Sequence, residues 1–177
     1  MRSVGRWGVA ALVVAGVVGL AGCGSTSVEG QAETTKVEAG EPTFDPCSIP
    51  DEVLRTVGVD PASVTRDIVG VKQPGWSVCR WRAPDYFVTV FATGRSIATI
   101  RADDQFSDVT PVELDGREAF TFRDAADKRN EFCDVLFTSG SDSVMIKSSY
   151  LTGRTPPEGP CPLALENARA LVKSMPR

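Results

Sequence analysis

The sequence predicts an α+β domain: an antiparallel β-sheet built from hairpins, packed by N-terminal and C-terminal helices and carrying two disulfides. Three observations favour this fold class. Short runs of alternating apolar and polar residues are separated by tight-turn residues, a pattern typical of hairpins. The last segment has apolar residues at three- and four-residue steps, which indicates an amphipathic helix. Four cysteines follow an apparent secretion signal, and an even number in an exported chain favours disulfides.

The first 22 residues are typical of a signal peptide. Arg2 and Arg6 form a basic start, and the apolar run after them has about a dozen residues, whereas a spanning helix needs roughly 20. Residues 20–23, LAGC, are similar to the bacterial lipobox, whose cysteine is acylated after cleavage just before it. We therefore predict lipid attachment at Cys23, with acyl chains such as palmitate, on the extracytoplasmic face of the cell membrane. The alternative is a secreted protein with a stray cysteine.

Charge and length divide the rest of the chain in two. Without Arg2 and Arg6, the chain has 17 basic and 23 acidic side chains, a net charge of −6, whereas nucleic-acid binders tend to be basic. We therefore expect no nucleic-acid partner. Residues 23–43 comprise the lipidated cysteine and a segment with four Glu, one Lys and few large apolar residues. This composition predicts a flexible acidic tether, which leaves 44–177 as a single domain.

The four remaining cysteines allow three disulfide connectivities. We favour Cys47–Cys79 and Cys133–Cys161, because each pair closes a loop of about 30 residues, worth about 3 to 4 kcal/mol in the chain-entropy model. The competing interpretation is a zinc site, which would lack both a CxxC pair and a histidine, since the chain has none. We expect no metal and no cofactor.

The first half of the domain predicts one helix and one hairpin. Ser48 can cap a helix over 49–57, with Pro50 in its first turn, and Gly58 ends it. Residues 60–63, DPAS, predict a turn. Strands over 76–82 and 86–92 then form a hairpin. Period two places Cys79 with Trp81 on the core face, with Arg80 and Arg82 on the other.

The second half predicts a short helix, two hairpins and a long helix. The helix capped by Ser96 covers 97–106. The first hairpin turns at Asp115-Gly116, a strong hairpin signal, and the second turns at 140–142. The Pro- and Gly-rich residues 152–160 predict a loop. The final helix, 161–176, presents an apolar stripe, which should pack on the sheet: Ala164, Leu165, Ala168, Leu171, Val172 and Met175.

Four short motifs, in order behind a lipobox, resemble one family. FDPCS at 44–48, CRW at 79–81, FCD at 132–134 and CPLA opening the last helix at 161–164 are similar to the DUF3558 family of small actinobacterial lipoproteins. The resemblance covers about 44–177. It implies an actinobacterial envelope and a structural role for the cysteines, and it supplies no catalytic residues. In element order, the domain is also similar to Mog1/PsbP-like α+β sandwiches.

The absence of histidine from the sequence excludes several catalytic arrangements. Ser-His-Asp and Cys-His nucleophilic sites and HExxH zinc sites all need it. Asp103, Asp104 and Asp108 are the densest acidic group, but adjacent aspartates on a helix point in different directions. Ser143 and Lys147 share one face of a strand but lie about 13 Å apart along it, too far for direct proton transfer. We therefore expect no enzyme.

The remaining interpretation is a non-catalytic binding or scaffolding module of the cell envelope. Its partner would be an envelope protein, a lipid or a peptide, in addition to the membrane itself. Arg80, Arg82, Phe87 and Phe91 are weak candidates for ligand contacts: the arginines lie on the face of their strand opposite Cys79, and Phe87 and Phe91 share one face of the next strand with Thr89. Solvated arginines and aromatics covered by helix and loop are the structural alternative. The other functional alternatives are an accessory or sensor subunit of an envelope complex and a carboxylate-dependent hydrolase.

Overall fold

The computed structural model describes residues 40–177. Within them, the chain forms three short helices and seven strands: one helix precedes the first three strands, one separates these from the last four, and one follows. A 3-10 turn, Pro46–Ser48, precedes the first helix, and a second, Val172–Ser174, ends the last one. In order, the elements are α1 (Asp51–Thr56), β1 (Asp60–Arg66), β2 (Trp76–Arg82), β3 (Tyr86–Thr93), α2 (Ile97–Arg101), β4 (Phe106–Leu114), β5 (Arg117–Asp124), β6 (Phe132–Ser139), β7 (Asp142–Tyr150) and α3 (Cys161–Leu171).

All seven described strands form one antiparallel sheet in the order β1-β2-β3-β7-β6-β5-β4. On one side of the sheet, β1, β2 and β3 pair in chain order, and on the other side β4, β5, β6 and β7 do the same. The pairing of β3 with β7 joins the two groups at the centre. The link from β3 to β4 crosses the sheet from its centre to its far edge and contains α2. The predicted antiparallel sheet with flanking helices is confirmed.

The main core lies on one face of the sheet, here called the helix face. Leu54 of α1 and Ala168 of α3 pack there against strand residues such as Val88, Val135 and Ile146, all nearly inaccessible to solvent. A buried hydrogen bond from Asn167 Nδ2 to Ser148 Oγ, 2.9 Å long, links α3 to β7. Burial of most of the predicted stripe of α3 explains why this helix forms there.

Two disulfides fasten the ends of the domain to the sheet on the helix face. Cys47 is bonded to Cys79 of β2, with Cα atoms 5.4 Å apart. Cys133 of β6 is bonded to Cys161 at the start of α3, with Cα atoms 5.0 Å apart. These are the two pairs that the loop lengths favoured. Trp81 lies on the same face as Cys79 and is buried, as the period-two pattern predicted.

The start of the domain differs from the prediction in two places. Ser48 does not cap α1: it lies in the preceding 3-10 turn, which Asp45 caps by accepting a hydrogen bond from Cys47 N at 3.0 Å, and Pro50 precedes α1. The predicted turn at 60–63 is the start of β1 instead. Asp60 still accepts from Ala62 N in an Asx turn, but within a bulged edge strand that tolerates Pro61.

The helix predicted over 97–106 is shorter in the structure. Ser96 caps α2 as predicted, accepting from Thr99 N at 3.1 Å, but α2 ends at Arg101 and Phe106 already begins β4. The reason is local hydrogen bonding, because Asp103 accepts from the backbone and side chain of Gln105 and thereby forms a turn. Asp103 and Asp104 are therefore turn residues rather than helical ones.

Several predicted features lie outside the described residues: the signal peptide 1–22, Cys23 and residues 24–39 of the tether. The last four tether residues, 40–43, contact the domain. Glu41 pairs with Lys72 at 3.1 Å, and Thr43 donates to Asp142 Oδ2 from both its backbone N and its hydroxyl. Among residues 40–177, none of the helices is long and apolar enough to span a bilayer.

Candidate ligand-binding site

The sheet face opposite α1 and α3, here called the pocket face, carries a row of polar side chains across its centre. Strand pairing places Arg80 opposite Thr89, Thr89 opposite Lys147, and Lys147 opposite Asp134. Phe122 of β5 follows as the partner of Asp134. Directly paired residues point to the same face, so the row runs over five strands in register. An ionic pair therefore lies near the centre of this face.

A pocket of about 330 Å³ opens on this face, between the sheet, α2 and the loop that joins β1 to β2. A second apolar cluster, separate from the main core, lies beside it; Ile100 and Met145 of this cluster line the pocket, whereas Phe122 and Leu136 do not. Its apolar lining comprises Ile68, Trp76, Val78, Phe91, Ile100, Phe106 and Met145; its polar lining comprises Gln73, Arg95, Thr99, Asp103, Gln105, Asp124, Asp134 and Lys147.

Asp134 is the least expected member of this lining. Its side chain is only 1 % exposed, and neither carboxylate oxygen has a hydrogen-bond partner among residues 40–177. Lys147 Nζ lies 3.5 Å from Oδ2, close enough for an ion pair but long for a hydrogen bond. Burial raises the pKa of Asp134 to about 7, and the attraction of Lys147 only partly opposes this rise. The carboxyl group thus lacks the donors that buried acids normally have.

Comparison with known proteins identifies the chain at the family level. The family model described as "Protein of unknown function (DUF3558)" matches residues 18–174, most of the chain. The chain belongs to the DUF3558 family. No curated protein and no solved structure matches it. The match spans all ten helices and strands of this DUF3558 domain and leaves out only residues 175–177 at its C-terminal end. Asp134 and the pocket therefore lie within the family region.

The predicted candidate residues of the DUF3558 domain fall into two groups on the pocket face. Phe91 lines the pocket, with its ring in an edge-to-face arrangement 6.3 Å from Trp76. Phe87 does not line it and instead stacks with both arginines, 3.6 Å from the Arg80 guanidinium and 6.0 Å from that of Arg82. Partial burial lowers the pKa of Arg80. The structure thus brings the three non-pocket candidates together beside the pocket.

The predicted acidic and Ser–Lys candidates also separate. Asp103 lines the pocket at the end of α2, whereas Asp104 and Asp108 are exposed and do not. Lys147 lines the pocket and pairs with Asp134, not with Ser143, which lies four residues away along β7. Three carboxyl groups therefore border the pocket, including two that the acidic cluster did not include: Asp124 and Asp134.

Asp134 could have been singled out from the sequence. It interrupts FCDVLF, an otherwise apolar run at the start of β6. The residues on either side of it, Cys133 and Val135, are buried on the helix face. An acidic residue at the centre of such a run is expensive to bury, so it is a signal of function. Its partner Lys147 directly follows the apolar run at residues 144–146 of the facing strand. The pairing register that joins them is not visible in either strand alone.

Asp45 and the sulfurs of Cys47 and Cys79 form the one metal-like cluster found within residues 40–177, with ligand atoms all within 4.8 Å of one another. Both sulfurs are bonded to each other, and a metal requires a thiolate. Asp45 instead holds Arg66 in a bidentate pair, which lowers the pKa of Asp45. This cluster is structural.

Proposed function

We propose that this protein is a non-catalytic binding module, anchored by lipid at Cys23 on the outer side of the cell membrane, that takes a small amphipathic molecule into the pocket of its sheet. The pocket volume of about 330 Å³ lies within the range of ligand sites, and its mixed lining has the usual composition of such sites. The observation that carries the proposal is the buried carboxylate of Asp134, whose two oxygens have no hydrogen-bond partner within residues 40–177 and which has only the ion pair with Lys147 there.

The lining chemistry defines the ligand class. Trp76, Phe91 and Phe106 offer aromatic surface to an apolar, ring-like body. At the polar end, Asp134 can accept hydrogen bonds, and a bound O–H or N–H group would satisfy the oxygens that have no donor within the described domain. A carboxylate ligand would instead bring a second negative group against Asp134. We therefore propose an aromatic or apolar molecule with a hydroxyl or amine group.

Membrane attachment rests on the sequence. The basic start, the short apolar run and LAGC at 20–23 support acylation of Cys23, and the acidic residues after it support a tether. One feature supports a binding role over catalysis: the sequence has no histidine. The order of the elements supports a Mog1/PsbP-like fold.

The ligand class can be tested with three probes that share one apolar body. These are 2-phenylethanol, 2-phenylethylamine and 3-phenylpropionate, titrated into the full chain while backbone amide signals are followed by NMR. We expect the alcohol and the amine to shift amides around Phe91, Met145 and Asp134. We expect 3-phenylpropionate to bind at least about tenfold more weakly, because it places an anion beside a buried carboxylate.

A variant that fills the pocket supplies the control. Met145→Trp places a larger side chain in the pocket, whereas Val109→Trp introduces the same residue on exposed β4, outside the pocket lining. Binding should be lost in the first variant and retained in the second. The proposal would be contradicted if the probes shifted the same amide signals in Met145→Trp as in the unsubstituted chain, or if 3-phenylpropionate bound more tightly than the alcohol and the amine.

A further inference from the structure

The loop that joins β1 to β2, residues 67–75, carries an exposed apolar turn. Within the described residues, most of the large apolar side chains that are exposed lie on or next to this loop: Val64, Ile68, Val69 and Val71. Val69 is the extreme case, with 90 % of its surface exposed. Ile68 and Val71 are bonded to each other by two backbone hydrogen bonds, so Val69 and Gly70 form a two-residue turn at the tip.

The backbone of this turn is strained by the residue it carries. Val69 has φ 55° and Gly70 has φ 76°, the left-handed pair required by the commonest two-residue hairpin turn. Asn, Asp or Gly fits the first position easily, whereas a β-branched residue there is an outlier. A polar residue would relieve the strain and also remove an apolar side chain from water. Val69 satisfies neither local preference, which points to a surface that meets an apolar partner.

The position of the N-terminal segment indicates which partner this is. Glu41 contacts the loop twice, through the ion pair with Lys72 and through its Oε1, which accepts from Gly75 N at 3.4 Å. The chain therefore enters the domain at the base of the loop. From Gly40 back to Cys23 there are 17 residues, which span about 23 Å as a coil and at most about 60 Å when extended. A lipid anchor at Cys23 would thus hold this loop near the bilayer.

We propose that the turn at Ile68–Val71 inserts into the lipid bilayer to which the protein is anchored. This inference rests on the acylation of Cys23 in the proposed function. The acidic net charge of the mature chain does not favour attraction to anionic lipids, so apolar contact drives the insertion. Tethering raises the effective concentration of the turn at the bilayer to the millimolar range. At this concentration, a small apolar turn suffices for insertion. Because Ile68 also lines the pocket, insertion places one wall of the pocket at the membrane surface.

Tryptophan quenching measures the insertion. The full chain, processed in a host that acylates lipoproteins, is reconstituted in phosphatidylcholine liposomes with and without bromine on the acyl chains. Val69→Trp reports the turn, and Val109→Trp reports an exposed valine on β4, at the opposite edge of the sheet. The unsubstituted chain supplies the background. We expect brominated lipid to quench the added Val69→Trp emission about twofold, because indole settles at the membrane interface, and to leave Val109→Trp unchanged.

The outcomes separate this inference from the anchor. Equal quenching of the two variants, with acyl chains found on Cys23 by mass spectrometry, would overturn insertion of the turn and leave the anchor intact. A shift of Val69→Trp emission that depends on protein concentration and not on lipid would assign the turn to self-association, also against the proposal. If Cys23 carries no acyl chain, the anchor is wrong, and quenching at high lipid concentration still decides whether the turn inserts.

Discussion

Lys147 Nζ lies 3.5 Å from Asp134 Oδ2 at the centre of the sheet, and this pair is the only polar contact of a carboxyl group buried within the described domain. Asp134 lies in an apolar run of β6, Lys147 directly follows an apolar run of β7, and the register of β6 against β7 sets the two charges opposite each other. Such a pair costs desolvation energy that a Leu or Met pair would not. In the function proposed above, this cost serves the pocket that both side chains line.

The first expected outcome concerns the pH dependence of stability. Because burial raises the folded-state pKa of Asp134 to about 7, its protonated form is favoured by folding. The contribution is full below about pH 4, the unfolded-state pKa, and is lost as the pH rises through 7. The free energy of unfolding should therefore fall between pH 5 and pH 8, by on the order of 1 to 3 kcal/mol.

Asp134→Asn keeps the shape of the side chain and removes the carboxyl group that titrates. Urea unfolding at pH 5 and pH 8 should show a smaller fall in the variant, which should be more stable than the unsubstituted chain at pH 8. Asp104→Asn, an exposed control, should leave the pH dependence unchanged. An equal fall in Asp134→Asn would mean that other groups cause it.

The second expected outcome concerns Asp142, which fastens the N-terminal segment to the β6–β7 turn. Its Oδ2 accepts from Thr43 N at 2.8 Å, from Thr43 Oγ1 at 2.9 Å and from Phe44 N at 2.8 Å. Asp142→Ala removes all three hydrogen bonds and should lower the free energy of unfolding by about 2 to 3 kcal/mol. Asp142→Asn retains an acceptor and should cost clearly less. Equal costs in urea unfolding would indicate that the negative charge, which both variants remove, matters more than the acceptor that asparagine retains.

The third expected outcome concerns the disulfides. Non-reducing peptide mapping should link Cys47 to Cys79 and Cys133 to Cys161, with Cys23 in no bridged peptide. Replacing either pair with alanines should cost about 3 to 4 kcal/mol, and the two costs should be similar, because the sequence separations of 32 and 28 residues are similar. A bridged peptide that contains Cys23 would contradict both the disulfide pairing and acylation at Cys23.

The fourth expected outcome compares the two roles of Asp45. This residue caps the 3-10 turn before α1 and pairs with Arg66, and both side chains are about half-exposed. Arg66→Gln removes only the exposed ion pair and should cost at most about 0.5 to 1 kcal/mol. Asp45→Ala also removes the cap and should cost about 1 kcal/mol more. Urea unfolding of both variants checks this order, and a larger loss in Arg66→Gln would reverse the assignment.

Much of the sheet could be predicted because its local signals agree with its tertiary environment. The Asp115-Gly116 turn, the alternation around Cys79 and the stripe of α3 each depend on residues close in sequence. β1 was missed because its signals conflict: Pro61 and the Asx turn of Asp60 predict a turn, and only pairing with β2 makes the segment a strand. The end of α2 depended in the same way on one side-chain hydrogen bond, from Gln105 to Asp103.

The candidate site was predictable only in part. Period two placed Arg80 with Arg82 and Phe87 with Phe91, each pair on one face of its own strand, but only the register of the two strands puts all four on one sheet face, and period two could not separate Phe91, which lines the pocket, from the stacked Phe87 cluster. That difference depends on α2 and the β1–β2 loop, which cover only one end of the face. Asp134 was not predicted because it is an isolated charge in an apolar run, whereas the predicted carboxylates, Asp103, Asp104 and Asp108, lie close together in the sequence.

The most direct test of the account is the affinity of 2-phenylethanol for the full chain and for Asp134→Leu at pH 8. Leucine has the same branched arrangement of heavy atoms and removes both acceptor oxygens, while Asp134→Asn retains one. If Asp134 binds the hydroxyl group, affinity should fall about tenfold in Asp134→Leu, the loss expected for one charge-assisted hydrogen bond, and less in Asp134→Asn. An unchanged dissociation constant in Asp134→Leu would contradict the claim that this buried carboxylate is the polar centre of a ligand site.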